Sequence, residues 1–204
     1  MPDDLSAVPT SAALDTLLSR ASVKPAELVA PGPSDAEIDR AVAVACRAAD
    51  HGGLRPWRFL VFRGDQRAAF GKLREAALAA RDPSAPPAVL ELERTKADRA
   101  PVAIVAAAKL RPGHKIPVWE QMAAASAATM NLLNALHAMG WGAMWVSGAM
   151  VEDAGLRRAL GFAETDALLG YIHVGTPATP PAPRERPEAA RFWRAWDGAA
   201  PNWD

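Results

Sequence analysis

The sequence predicts a single layered domain of the α/β or α+β class, and three observations support this prediction. The chain has 204 residues, which suits one domain of ordinary size. Half of the residues are hydrophobic, enough to bury a substantial core. Segments with helical periodicity alternate with short apolar runs of strand length, and neither a repeat nor a linker divides the chain.

Six segments carry the spacing or boundary signals of helices. The first, about residues 11–20, places Leu14, Leu17 and Leu18 on one stripe. Ser34 and Glu37 form a capping-box pattern that opens the second helix. Further helices are predicted at about 65–80, in a charged segment that ends near 97, at 118–139 and at 153–160.

Four apolar runs indicate strands, at residues 57–62, 102–108, 144–146 and 168–174. The run at 102–108 is continuous, which is typical of a strand covered on both faces. Residues 1–10 are predicted to be a flexible polar tail. The Pro-rich C-terminal segment is too apolar for solvent and too short to fold alone, so it should pack on this subunit or on a partner; its aromatic residues are Phe192, Trp193, Trp196 and Trp203.

Composition argues against several classes of function. Lysine and arginine together number 23, as do aspartate and glutamate, so the formal net charge is zero and no nucleic-acid-binding surface is indicated. No apolar stretch is long enough to span a membrane. Cys46 is the only cysteine, which excludes an intramolecular disulfide, and no histidine spacing suggests a metal site. With no signal-peptide pattern, the protein is expected in the cytoplasm.

The most informative cluster lies at the end of the first predicted helix. Arg20, Ser22 and Lys24 bring two cations and a hydroxyl group within five residues. A guanidinium fork and an ammonium group both suit phosphate oxygens, and lysine can also stabilise negative charge on a reduced ring. The competing interpretation is a pair of solvated charges at a helix end, and composition alone favours it.

Three other clusters have two interpretations each. In the first, Arg47 and His51 share a helix face just before two glycines and Trp57. This cluster could contact a ligand, or it could be an ordinary glycine-rich turn. The glycine-rich stretch 140–148 could form the floor under a ring-shaped ligand, with Ser147 at its polar edge, or simply cap a helix before a buried strand. Arg184 and Arg186 stand at alternate positions, so in an extended segment they should point the same way. They could clamp one phosphate, or the segment could be a polar linker.

In their order along the chain, these clusters resemble the FMN-dependent nitroreductase family, in particular its small single-domain branch. The resemblance covers about residues 14–177. The segments that carry it are LLSRAS (17–22), DHGGLRPW (50–57), HKIPVWEQ (114–121), GAMWVSG (142–148) and GTP (175–177). It implies an α+β fold in which helices surround a central mixed sheet of four to five strands, with residues 11–204 as one FMN-binding domain.

The resemblance also implies a homodimer with two FMN sites at its interface, on which the C-terminal extension packs. One subunit would contact FMN through Arg20, Ala21, Ser22 and Lys24, and the other through Arg47 and His51. The flavin ring would be lined by Trp145, Val146 and Ser147, and the phosphate would meet Arg184 and Arg186. The sequence departs from the family pattern at Ala21 and Val146, where arginine is usual, and at Arg55, where glutamine is usual.

The activity that this resemblance implies is an NAD(P)H oxidoreductase. A flavin in one shared site implies ping-pong transfer from the nicotinamide cofactor to a nitroaromatic, a quinone or a similar small acceptor. No protein side chain is assigned as a catalytic acid, base or nucleophile. Two alternatives are an FMN-binding carrier or sensor without turnover, and a flavin-free module that binds a partner through its Trp-rich tail.

Overall fold

The structure, a computed structural model, describes residues 11–181, 185–200 and 202–203. Within these residues, six α-helices surround one five-stranded sheet. The helices are α1 (Ala12–Ser19), α2 (Asp35–Ala45), α3 (Asp65–Arg81), α4 (Pro87–Thr95), α5 (Val118–Ala138) and α6 (Ala154–Ala159). The strands are β1 (Leu28–Val29), β2 (Trp57–Arg63), β3 (Val102–Ala108), β4 (Gly142–Val146) and β5 (Ala167–Pro177). The predicted α+β class and strand number are confirmed.

The helix starts follow the local capping signals. The capping box predicted at α2 is present: the Glu37 amide donates to Ser34 Oγ at 3.3 Å, and the Ser34 amide donates to the Glu37 carboxylate at 2.8 Å. Ser11 caps α1, where its side chain accepts from the Leu14 amide. Such contacts lie within one turn, which is why sequence alone predicts these starts.

The strand order corrects the expectation of a mixed sheet. β2 pairs with β3, β3 with β5, and both β4 and β1 with the other side of β5; all four pairings among the described strands are antiparallel. β3 and β4 run in the same direction, but β5 lies between them. No two neighbouring strands are therefore parallel. The strand β1, only two residues long, is too short to leave a hydrophobic pattern.

The sheet separates two hydrophobic layers. Along β3, the side chains of Val102, Ile104 and Ala106 face α2 and α5. Val105 and Ala107 point to the opposite face, towards α3 and α6. All seven residues of β3 are buried, so the prediction of a strand covered on both faces is confirmed.

The C-terminal segment leaves large aromatic side chains exposed in the single chain. Phe192, Trp193, Trp196 and Trp203 expose between 59% and 79% of their surface. Packing of this segment on a partner therefore stays a prediction. No helix among the described residues is both long and apolar enough to cross a membrane.

Candidate functional site

Two arginines meet at the C-terminal end of α1. The Arg186 guanidinium donates to the Arg20 carbonyl oxygen at 2.6 Å. Burial, and then the positive charge of Arg186, lowers the pKa of Arg20 from its ordinary value. Neither arginine belongs to an ion pair between described residues. Two like charges held together in this way favour an anionic ligand.

A histidine and a serine adjoin this arginine pair. Ser19 Oγ lies 3.1 Å from His137 Nε2. Burial, and then the charge of Arg20, lowers the pKa of His137, so its ring is mainly neutral at pH 7. Because His137 belongs to the last turn of α5, the contact fixes the arginine pair at that end of the helix.

A cavity of about 560 Å³ lies between α3 and the sheet. Three residues that the sequence nominated, Lys24, Val146 and Ser147, line it. The chain is extended at both Arg20 and Lys24. Because Lys24 comes four residues after Arg20, they stand at most about 14 Å apart. Arg20 and Lys24 can therefore contact different ends of one ligand, with Ser22, half-buried, between them.

The inner wall of the cavity contains ionisable groups that the sequence did not reveal. Arg74 of α3 donates to Glu93 of α4, and both side chains are about 95% buried. The Arg74 guanidinium also lies over the Tyr171 ring, 4.1 Å from its centroid. His173 lies two residues further along β5, on the same face of the sheet. Both β5 residues pair across to β4, opposite Val146 and Met144.

The buried ring groups of the inner wall are neutral at pH 7. Burial raises the pKa of Tyr171 to about 12, although the charge of Arg74 opposes this shift. Burial lowers the pKa of His173 to about 4, and the charges of Arg74 and Arg99 lower it further. The sequence does not nominate His173, because no histidine spacing in the chain suggests a metal site. The available signal for His173 was its position in β5, on the same face of the sheet as Val146 of β4.

The pKa of His173 makes stability depend on pH. In the unfolded chain the imidazole binds a proton near pH 6.5, whereas in the folded chain it does so only near pH 4. The free energy of unfolding should therefore fall by about 3 kcal/mol as the pH drops through this window. Urea unfolding of wild type and His173→Gln between pH 4 and 7 tests this, with His114→Gln as control. Equal pH dependence in all three proteins would contradict the shift.

A separate polar patch lies at the start of α5. His51 Nδ1 is 2.7 Å from Glu120 Oε2, and the His51 side chain is 68% exposed. Arg47, just after α2, is exposed as well. Gly52 has φ +73°, and a Cβ there would lie 2.3 Å from Ile116 Cδ1, so the turn requires glycine. Trp119 on the same side is 70% exposed.

The two polar regions lie at opposite ends of α5. His51 contacts Glu120, and Ser19 contacts His137, 17 residues later in the same helix. At 1.5 Å per residue, this places the contacts about 25 Å apart. Within one chain, His51 therefore does not share a site with Ser19 and Arg20.

The remaining nominated residues are distributed unevenly. Trp145 lies on the other face of β4 from the cavity, packed against the α2 and α5 layer, and its Nε1 donates to the Leu169 carbonyl at 3.0 Å. Ala21 is half-buried beside Arg20. Arg184 lies outside the described residues. No three histidine, cysteine, aspartate or glutamate residues in the described part of the chain are grouped to hold a metal ion.

The protein has an antiparallel α+β fold with a cationic pocket on one side of the sheet. Comparison with known proteins identifies the class to which it belongs. The model of the nitroreductase family matches residues 17–176. The chain belongs to the nitroreductase family, as its sequence predicted.

Two curated relatives support this assignment. The "Putative NAD(P)H nitroreductase YdjA" of Escherichia coli K12 is 34% identical over 166 residues, which cover 81% of this chain and 88% of that protein. A "Putative NAD(P)H nitroreductase" of Haemophilus influenzae is 36% identical over 165 residues, 80% of this chain and 88% of that protein.

Solved structures share the fold at lower sequence identity. A nitroreductase-like family protein from Bacillus cereus superposes with a TM-score of 0.76 at 17% identity, covering 94% of this chain and 99% of that one. A "putative nitroreductase in complex with FMN" from Desulfovibrio desulfuricans superposes with a TM-score of 0.67 at 23% identity, covering 92% and 98%. The nitroreductase-like fold expected from the sequence is confirmed.

Proposed function

We propose that this protein is a cytoplasmic, FMN-dependent NAD(P)H oxidoreductase that passes electrons to small acceptors such as nitroaromatics or quinones. One observation carries the proposal: Arg20, whose pair with Arg186 has no acidic partner among the described ion pairs, lies four residues before Lys24, which lines a cavity together with Val146 and Ser147. Relatives named as NAD(P)H nitroreductases, and a similar structure solved with FMN, support the same choice of cofactor.

The residues present fit an FMN molecule. Arg20 and Arg186 offer guanidinium donors for a phosphate, and Arg184 stays a candidate for the same role. Lys24 provides a positive charge that stabilises negative charge at the ring end of the site. Ser147 is exposed at the cavity rim, and Val146 contributes an apolar wall. Bound FMN would supply the two-electron carrier between the nicotinamide cofactor and the acceptor, in ping-pong order.

The site needs a second subunit to include all of the nominated residues. His51 contacts Glu120 at the start of α5, about 25 Å along the helix from the Ser19–His137 contact beside the arginine pair, and Arg47 lies four residues before His51. In a homodimer, the partner can supply these two residues to the first subunit's site. The exposed aromatic side chains of the C-terminal segment supply apolar surface for such an interface.

The absorbance spectrum of the purified protein tests the cofactor. We expect bound FMN in the wild type and a much lower FMN content in Arg20→Ala/Lys24→Ala, because the variant lacks the nominated charges at both ends of the ligand. Arg158→Ala/Lys72→Ala, which removes two exposed charges away from the cavity, is the control. Unchanged flavin content in the first variant would reject this site, and a colourless wild type that FMN cannot reconstitute would favour a flavin-free binding module.

Anaerobic addition of NADPH then separates the enzyme from a carrier or sensor. Ala21, where the family pattern has an arginine, is the observation that keeps the carrier as a second candidate. Rapid bleaching, followed by recovery of colour on adding a nitroaromatic or quinone, supports the enzyme. A yellow protein that NADH and NADPH leave unchanged supports the carrier.

A further inference from the structure

Three buried polar atoms on the wall of the cavity under α3 form no hydrogen bond with any described residue. They are Arg74 Nε, Tyr171 Oη and His173 Nδ1. All three residues line the cavity and are at least 95% buried. Such atoms are rare in native proteins, because each unmade hydrogen bond on a buried polar group costs about 1–3 kcal/mol. Their concentration on one wall therefore indicates that a polar part of the bound ligand lies there.

The flavin ring, which the proposed function puts in this cavity, has two different ends. One end has two methyl groups and no polar atom. The other end, the pyrimidine edge, has an N–H group between two carbonyl oxygens. A methyl end at the inner wall would leave all three buried atoms unpaired, whereas a pyrimidine edge can form hydrogen bonds with them. The unpaired atoms thus favour one of the two orientations of the ring.

The three groups also match the pyrimidine edge in their donors and acceptors. Arg74 Nε is a donor, and Tyr171 Oη keeps its proton at neutral pH because burial raises the pKa of Tyr171 to about 12. Burial lowers the pKa of His173 to about 4, so its neutral ring can accept or donate at Nδ1. The wall therefore offers two donors for the two carbonyl oxygens and one group that can accept from the N–H between them.

The charge of the lining gives the reduced ring an advantage over the oxidised one. Among the described residues, four basic side chains and no acidic one line the cavity; they are Lys24, Arg74, Lys96 and Arg99. Glu93, directly behind, pairs with Arg74 and Lys96, and four basic groups minus this one acidic group leave three positive charges. Two-electron reduction places negative charge at the pyrimidine edge, so a positive wall there binds the reduced form more tightly.

We propose that the wall formed by Tyr171, His173 and Arg99 holds the pyrimidine edge of the flavin, so that the methyl-bearing end faces the rim at Ser147. This inference rests on the proposed function and deepens it, because it assigns the orientation and the reduction potential of the ring to residues that the sequence did not nominate. Arg74 acts as a positioning residue, since its guanidinium lies over the Tyr171 ring, 4.1 Å from the ring centroid.

Two analogues of FMN, each with one added carbon, test the orientation. 3-Methyl-FMN replaces the N–H of the pyrimidine edge with N–CH₃, and 8-ethyl-8-demethyl-FMN is enlarged at the opposite end of the ring. We expect the wild-type apoprotein to bind 3-methyl-FMN about tenfold more weakly than FMN, because one hydrogen bond is lost at a buried wall. The 8-ethyl analogue should bind as tightly as FMN. A 3-methyl analogue that binds no more weakly than the 8-ethyl analogue overturns the proposal.

The midpoint potential of bound FMN tests the assigned residues. By linkage, this potential follows the ratio of the dissociation constants of oxidised and reduced FMN. We expect Arg99→Gln and Tyr171→Phe each to weaken binding of reduced FMN about tenfold more than binding of oxidised FMN, which lowers the potential by about 30 mV for a two-electron couple. Arg158→Gln, which removes an exposed charge on α6, should leave the potential unchanged.

The outcomes distinguish this inference from the proposed function. A purely structural change would weaken both redox forms of FMN equally and leave the potential where it was. A protein that binds FMN and is bleached by NADPH, but whose bound FMN keeps the wild-type potential in either Arg99→Gln or Tyr171→Phe, therefore overturns the inference alone. Failure of the wild type to bind FMN or to react with NADPH overturns the proposed function instead.

Discussion

Replacing Arg74 with leucine is expected to lower the free energy of unfolding by about 3–5 kcal/mol. Arg74 and Glu93 form an ion pair whose side chains are only 6% and 7% exposed. Burial by itself raises the pKa of Glu93, but hydrogen bonds and charges from Lys96 and Arg74 outweigh burial and lower it, so the folded protein contains a carboxylate. Without Arg74, this buried charge retains only the contact with Lys96, which is 37% exposed.

A double-mutant cycle tests this expectation. Urea unfolding of Arg74→Leu, Glu93→Leu and the double variant gives the coupling energy of the pair. We expect each single variant to be strongly destabilised and the double variant to recover much of the loss, because it leaves no unpaired buried charge. Arg94→Leu is the matched control: Arg94 and its partner Glu91 are 32% and 54% exposed, so its cost should stay below about 1 kcal/mol. Additive losses in the double variant would show that the pair is not coupled.

Two variants that each lose FMN binding as homodimers are expected to bind FMN again when they form a heterodimer. The first variant, Arg20→Ala/Lys24→Ala, changes residues that follow α1. The second, Arg47→Ala/His51→Ala, changes residues that follow α2. Each homodimer would have two defective sites. A heterodimer would have one site with all of the changes and one intact site, because each site takes one half from each subunit. With random pairing, about a quarter of all sites are then intact.

Co-expression of the two variants with different affinity tags provides the measurement. Heterodimers purified through both tags should contain about one FMN per dimer, and the two homodimers little or none. Two variants that both change the α1 end, Arg20→Ala and Lys24→Ala, form the control pair, since their heterodimer should contain no intact site. A heterodimer without FMN in the first experiment would mean that one chain forms the whole site.

The elements that sequence predicted well are those stabilised by local contacts. The capping box of Ser34 and Glu37, the continuous apolar strand at 102–108 and the long helix that begins at Val118 all agree with the structure. In each, the pattern that predicts the element lies within that one helix or strand. The resemblance to the nitroreductase family added the fold and is confirmed by the family match.

The candidate site was only partly predictable, because its contacts join residues that are far apart in the sequence. Sequence nominated Arg20, Lys24 and Ser147 because chemically suggestive residues stand close together along the chain. It could not show that Arg186 reaches Arg20, which is 166 residues away. It also nominated Trp145 next to Val146, although alternation along a strand sends these two side chains to opposite faces of the sheet.

The positively charged pocket beneath α3 exists only in the tertiary structure. By itself, the sequence determined the six helices and four of the five strands, and which terminus of α1 carries the cations. The antiparallel register of β5 decided that Tyr171 and His173 face the same side as Val146 and Met144. The packing of α3 on α4 decided that Arg74 meets Glu93. These contacts depend on how twelve or more intervening residues fold, and hydrophobic periodicity, a property of short segments, contains no record of them.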